Sequence, residues 1–302
     1  MESSESPLQR HDEQFETSLR PGLLGDFIGQ EQVRKRLSIS IGAAKQRGEA
    51  LGHCLFHGPP GLGKTTLAAI VAAEMGSPLV VASGPSLDKP GDLAGILTNL
   101  REGSVLFIDE IHRLSRTVEE YLYPAMEDFS LDVIIDTGPQ ARSVHVTLNR
   151  FTLIGATTRL GLLTAPLRSR FESIARLSYY DASLLTAIVL RSSRLLGLSL
   201  AESAADEIAR RARGTPRIAN NLLRWVRDYA QMHAITSVQT ADIHAALAML
   251  DIDHKGLDEL DKKLLELIID HHAGGPVGVG TLAAALSEDV ATLEEVHEPF
   301  LL

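Results

Sequence analysis

The chain has 302 residues, 44% of them apolar, which is enough for about two cored domains and too much for a disordered segment. Its 29 Lys and Arg against 39 Asp and Glu leave a net charge of −10, which argues against broad nonspecific affinity for nucleic-acid phosphates. No apolar run approaches the about 20 residues of a membrane helix, and the polar stretch Met1–Arg20 has no apolar core for a secretory leader. A single cysteine, Cys54, excludes an internal disulfide framework and points to a reducing compartment, the cytoplasm.

Between residues 53 and 178, short apolar runs alternate with helical patterns. The runs are Cys54–Phe56, Leu79–Val81, Val105–Ile108, Phe151–Ile154 and Ile174–Leu177. Strands spaced by helices and apolar on both faces imply an α/β block with a parallel sheet covered on both sides. The segment Asp132–Leu148 breaks this rhythm. Asp132–Asp136 and Arg142–Leu148 are β-rich and joined by Thr137-Gly138-Pro139-Gln140-Ala141. Val144, Val146 and Leu148 alternate with Ser143, His145 and Thr147. A hairpin inserted in the block, with one polar face, accounts for that alternation.

After Tyr180 the strand signals stop. Asp181 is placed to cap a helix ending near Gly197, Thr215-Pro216 to open one reaching about Ala234, and Thr240 to cap a third through Leu250. From about Lys255 an amphipathic helix runs to Ile269. A Gly274-Gly275-Pro276 break and two short helical runs follow, to Leu302. The expected organisation is a large α/β domain over 1–180, a small helical domain over 181–254 and a third domain over 255–302.

Gly58-Pro59-Pro60-Gly61-Leu62-Gly63-Lys64-Thr65 matches the G-x-x-x-x-G-K-[ST] phosphate loop, with a strand before it and a helix after it. Glycines at 58, 61 and 63 let backbone N–H groups turn toward phosphate, and the following helix aims its positive end at the same anion. Lys64 is expected to neutralise the β and γ phosphates of ATP, with Thr66 next to the metal-binding hydroxyl of Thr65. Val105–Ile108 delivers Asp109 and Glu110 at a strand's carboxyl end, where parallel sheets keep their ligands. Asp109 with Thr65 suits Mg²⁺, and Glu110 suits the polarisation of an attacking water. A nucleotide-gated scaffold would not need Glu110, so hydrolysis is the better reading. Asp109-Glu110-Ile111-His112 also spells the D-E-x-H box of two-lobed helicases, but the helical chain beyond Tyr180 is too short for a second sheet lobe.

Further along, Phe151–Thr158 resembles the sensor-1 strand of AAA+ ATPases, with Thr158 at its polar tip. Ala165-Pro166-Leu167-Arg168-Ser169-Arg170-Phe171 resembles their arginine-finger box, and Gly214-Thr215-Pro216-Arg217 the start of their sensor-2 helix. Leu19-Arg20-Pro21, Asp26-Phe27-Ile28-Gly29-Gln30, the phosphate loop, Glu127-Asp128-Phe129 and the hairpin narrow the resemblance to the RuvB family, from about Arg20 to Leu302. That resemblance implies a homohexameric ring driving branch migration of Holliday junctions, on double-stranded DNA and with RuvA and RuvC. It implies that Arg170 acts across a subunit interface and that the hairpin docks on RuvA. It also implies that Leu19, Arg20, Ile28, Glu127, Asp128, Phe129, Tyr180, Pro216 and Arg217 contact ATP. The third domain would be a winged helix. It reads as incomplete, since the chain halts at Glu298-Pro299-Phe300-Leu301-Leu302 before a β-wing. Between Leu257 and Leu302 the only Lys and Arg are Lys262 and Lys263, against ten Asp and Glu, and the position of a family arginine falls at about Val290. A clamp-loader-type ATPase shares the nucleotide motifs but lacks the Gly138-Pro139 hairpin.

Overall fold

The computed structural model describes residues 18–134 and 143–301, which form two compact units. One gathers Arg20–Pro59 with Gly63–Ser178. Among the described residues, the other gathers Pro60–Leu62 with 179–301 and with Ser18 and Leu19.

The first unit is built on five parallel strands: β1 (Cys54–His57), β2 (Leu79–Ser83), β3 (Val105–Asp109), β6 (Thr152–Thr157) and β7 (Ser173–Arg176), in the spatial order β2-β3-β6-β1-β7. Leu55, Phe56, Leu106, Phe107, Ile108, Leu153 and Ile154 are all buried, so the central strands are apolar on both faces, as a helix-covered parallel sheet requires. The two edge strands depart from the sequence expectation, because Val81 on β2 and Ile174 on β7 face solvent. The helices of this unit include α1 (Glu31–Arg47), α2 (Lys64–Met75), α3 (Pro90–Thr98) and α4 (Arg116–Glu127). Gly48 and Gly76 stop α1 and α2 in the left-handed conformation that suits glycine at a helix end. A short helix, α5 (Ala165–Ser169), is capped by the Thr164 hydroxyl, which accepts the Leu167 N–H.

The hairpin starts two residues earlier than its sequence pattern indicates. Strand β4 (Ser130–Ile134) pairs antiparallel with β5 (Ser143–Thr147), with Leu131 opposite Val146 and Val133 opposite Val144. Leu131 is an anchor: its burial in the core of the sheet unit draws the first strand back toward α4. On the other face Asp132 lies 3.1 Å from His145. Ile135, Asp136, the turn Thr137–Ala141 and Arg142 lie outside the described residues.

The second unit contains α6 (Ala182–Leu195), α7 (Glu202–Arg211), α8 (Pro216–Met232) and α9 (Thr240–Ala248). Asp181 caps α6 by accepting the Leu184 N–H at 2.9 Å, as its position suggested. The α9 cap is Gln239, whose backbone N–H donates to Asp242, so Thr240 begins the helix rather than capping it. Helix α7 was not legible in the sequence. Its buried residues are Ala204, Ala205, Ile208, Ala209 and Arg211, three alanines, one larger apolar residue and a cation, too weak a hydrophobic pattern to stand out.

The same unit continues with α10 (Glu259–His272), α11 (Val279–Leu286) and a helical run from Val290 to Leu301, packed around Leu264, Leu282, Ala283 and Leu293. A buried ion cluster stands beside this small core. Arg213 reaches Asp258 at 2.8 Å and also pairs with the fully buried Asp261, which accepts from His297 Nδ1 at 2.6 Å. Burial alone would raise the Asp258 carboxyl, but the Asp261 N–H and the Arg213 guanidinium outweigh it and hold it below the usual carboxylate range. Asp258, Asp261 and His297 also have the donor spacing of a metal site. Their acids are already committed to Arg213, however, and a cluster neutralised by a guanidinium is an ion-pair network.

Candidate nucleotide site

Helix α2 begins at Lys64, directly after Gly63 in the left-handed conformation at φ 98°. A side chain at Gly58 would place its Cβ 2.4 Å from the Leu177 carbonyl oxygen, so only glycine lets the loop pass that backbone. The Lys64 side chain is 7% exposed and folds back over the loop, donating to the carbonyls of Gly58 at 2.7 Å and Pro59 at 2.8 Å. Burial pushes its ammonium below the usual lysine range, although the nearby charges of Asp109 and Glu110 oppose the shift. Thr65 and Thr66 follow in the first helical turn, half-buried.

Strand β3 ends at Asp109, whose carboxylate accepts the Glu110 N–H at 2.9 Å. Glu110 itself adopts φ 49°, a left-handed conformation uncommon for a residue with a side chain. Such strain persists where the surroundings hold it, and it turns the chain out of the sheet here. On the neighbouring strand, the buried Thr157 hydroxyl lies 2.9 Å from His112 Nδ1 and accepts the Arg159 N–H at 3.0 Å. His112 Nε2 stands 3.4 Å from Glu110. Thr158, one residue beyond the strand, keeps a buried hydroxyl with no hydrogen-bond partner among the described residues. Buried polar groups are rarely left without a partner, so this hydroxyl is available to a bound group.

These residues fit a nucleoside triphosphate with its magnesium ion. The first unit supplies a buried cation in Lys64, hard oxygen donors of the kind magnesium takes in Asp109 and Thr65, a second carboxylate in Glu110, and the hydroxyl of Thr158.

The other candidates fall into distinct surroundings. Arg170, at the end of α5, donates to the Pro166 carbonyl at 2.7 Å and pairs with Glu127 at 3.2 Å. Asp128 is exposed where α4 ends, and Phe129 stacks edge-on against Phe151, with Arg150 above its ring. Arg20 and Ile28 are half-buried in the first unit. In the second unit Leu19 is buried and its carbonyl accepts from Arg191 at 2.7 Å. Tyr180 is buried, its backbone N–H donating to Gly214 at 2.9 Å and its hydroxyl to the Leu62 carbonyl at 3.4 Å. Pro216 opens α8, and the Arg217 backbone N–H reaches the Gly61 carbonyl at 3.4 Å. His112 and Thr157 were not singled out from the sequence. The box Asp109–His112 contained the only signal for the first of them.

Three family models match the chain in succession: a Holliday junction DNA helicase RuvB P-loop domain over residues 19–177, a RuvB AAA lid domain over 180–253 and a RuvB C-terminal winged helix domain over 254–302. The chain belongs to the RuvB family. A Protochlamydia amoebophila protein named Holliday junction branch migration complex subunit RuvB is 60% identical over 298 residues, 99% of this chain and 90% of that one. A Chloroflexus aggregans protein of the same name is 58% identical over 96% of this chain and 83% of that one. The solved structure of the Thermotoga maritima RuvB Holliday junction branch migration motor matches with a TM-score of 0.85 and 49% identity, covering 94% of this chain and 90% of that one. As a RuvB family member the chain is a P-loop ATPase of the AAA+ type, with a parallel-sheet domain, a helical lid and a winged-helix domain. No described helix is long and apolar enough to cross a membrane.

Proposed function

We propose that this chain is the ATP-driven motor subunit of a Holliday-junction branch-migration complex, working in the cytoplasm as a homohexameric ring on duplex DNA with RuvA and RuvC. The observation that carries the reading is the 60% identity, over 99% of the chain, to a protein bearing that name. The nucleotide residues support it, since each chemical group that phosphoryl transfer requires is present.

In this reading Lys64 leaves its two loop carbonyls to neutralise phosphate oxygens, exchanging neutral acceptors for charged ones. Asp109 and the Thr65 hydroxyl hold Mg²⁺, which supplies charge neutralisation on the transferring phosphoryl group when bound. Glu110 orients the attacking water and takes up its proton, steadied by His112 at 3.4 Å. The Thr158 hydroxyl donates to the γ-phosphate or to that water. Arg170 comes from the adjacent subunit and stabilises the charge growing on the phosphoryl oxygens. Tyr180, Pro216 and Arg217 are the proposed nucleotide contacts of the unit that also contains Pro60–Leu62. The apolar hairpin face, Val133 beside Val144, is the proposed RuvA contact.

The test is direct. Purified chain mixed with RuvA should move a synthetic four-way junction in a reaction that requires hydrolysable ATP. Turnover of ATP without junction movement, at any RuvA concentration, would favour a clamp-loader-like or scaffold role instead.

A further inference from the structure

Arg170 stands in a built cradle on one face of α4. Its guanidinium carbon lies 4.2 Å from the centroid of the Tyr123 ring. Nη2 donates to a Glu127 carboxylate oxygen at 3.2 Å, Nε stands 3.2 Å from the other oxygen, and Nη1 donates to the Pro166 carbonyl at 2.7 Å. The Tyr123 hydroxyl is tied in turn, 3.4 Å from Glu119 Oε2 and 3.3 Å from Thr164 Oγ1. Thr164 donates to the same Glu119 oxygen at 2.9 Å while capping α5, the helix that delivers Arg170. Glu119, Tyr123 and Glu127 recur every four residues on α4, so they form one stripe along that helix. Glu119 is only 4% exposed, and a carboxylate that deep needs the two hydroxyls it accepts.

From this geometry we propose that Tyr123 is a positioning residue for Arg170. Its ring is the floor that holds the guanidinium in one plane, and its hydroxyl shares the Glu119 carboxylate with Thr164, the cap of the finger's own helix. An arginine side chain is rich in rotamers and loses that freedom when it is fixed. The Tyr123 floor removes part of that freedom before the neighbouring subunit arrives, so less remains to be lost in the transition state. Glu127, about half exposed, is the replaceable partner: a phosphate can take its place while the ring stays against the guanidinium. The inference rests on the proposed action of Arg170 across the subunit interface.

The experiment compares Tyr123→Leu, Tyr123→Phe and Arg170→Ala in the full chain, measuring kcat, KM for ATP, assembly and melting. Tyr123→Leu should lower kcat by about 10²-fold with KM and assembly unchanged, as for a reacting group displaced by about an ångström. Tyr123→Phe, which keeps the ring, should stay within about threefold of wild type. Subunits with Tyr123→Leu mixed with Lys64→Ala subunits should regain turnover, because the latter bring an intact finger to an intact nucleotide site. Wild-type kcat in Tyr123→Leu alongside an inactive Arg170→Ala would overturn the positioning role. So would equal loss in the Phe and Leu variants, or a loss that tracks nucleotide affinity or assembly. Normal turnover in Arg170→Ala would instead remove the finger itself.

Discussion

The Thr157 hydroxyl and His112 Nδ1 lie 2.9 Å apart, joining the tip of β6 to the short turn after β3. The other ring nitrogen of His112 faces Glu110 at 3.4 Å, so the imidazole links the tip of β6 to Glu110. A change in what the strand tip contacts would therefore reach Glu110 through one imidazole.

Glu110→Gln should bind ATP with near-wild-type affinity and hydrolyse it about 10²-fold or more slowly. The amide cannot accept a proton from water, while Asp109 and Thr65 are untouched. Steady-state turnover alongside equilibrium nucleotide binding checks this, and turnover near wild type would remove Glu110 from the role.

Arg170→Ala should bind ATP and turn over about 10³-fold more slowly. Lys64→Ala should lose nucleotide affinity itself, because a phosphate charge is left without its cation. Mixing the two inactive variants should restore turnover, since one keeps the nucleotide site and the other the finger. Mixtures no better than their components would place Arg170 within its own subunit's chemistry.

Val144, 44% exposed and paired across the hairpin with Val133, presents an apolar surface. Val144→Asp should leave the melting temperature of the chain within about 2 °C of wild type, as a surface change does, while abolishing RuvA capture in a binding assay. A large drop in melting temperature would show instead that the hairpin face packs inside the fold.

His53 sets an acid limit on the sheet unit. Its Nδ1 accepts the Leu153 N–H at 2.9 Å and its Nε2 faces the Met126 carbonyl at 3.1 Å, an arrangement that suits the neutral ring. Burial pushes its pKa below 6.5, against the pull of the Met126 carbonyl. The unfolded chain takes up a proton that the folded one refuses, so His53's contribution is complete above about pH 6.5 and falls as acidity increases toward the folded pKa. Denaturant unfolding between pH 7.5 and 5 should show this slope, and His53→Gln, which keeps one acceptor and one donor, should flatten it.

Arg213→Ala should destabilise the lid and winged-helix unit by about 3–5 kcal/mol, because it strands the buried Asp261 carboxylate. Thermal melting and protease sensitivity of the 254–301 region report the loss. Unchanged melting would make the cluster energetically idle.

Local chemistry made much of this protein legible before its structure. Gly58, Gly63, Lys64, Asp109 and Glu110 carry their meaning in residue type and spacing, because a phosphate loop and a strand-end acid pair are built from a few consecutive residues. The central strands were equally plain, since burial on both faces forces continuous apolar runs. What the sequence could not convey is held by contacts between distant segments. Glu119 and Thr164 are 45 residues apart and meet only because α4 and α5 pack together. Tyr123 reads as an ordinary amphipathic residue until its ring is found under Arg170. Helix α7 was hidden because alanine buries well against close neighbours but signals weakly on its own, and Leu131 moved the hairpin's start because its burial outweighed the local alternation. Motif chemistry depends on neighbours in the chain, whereas support and orientation depend on neighbours in space, which only the tertiary structure decides.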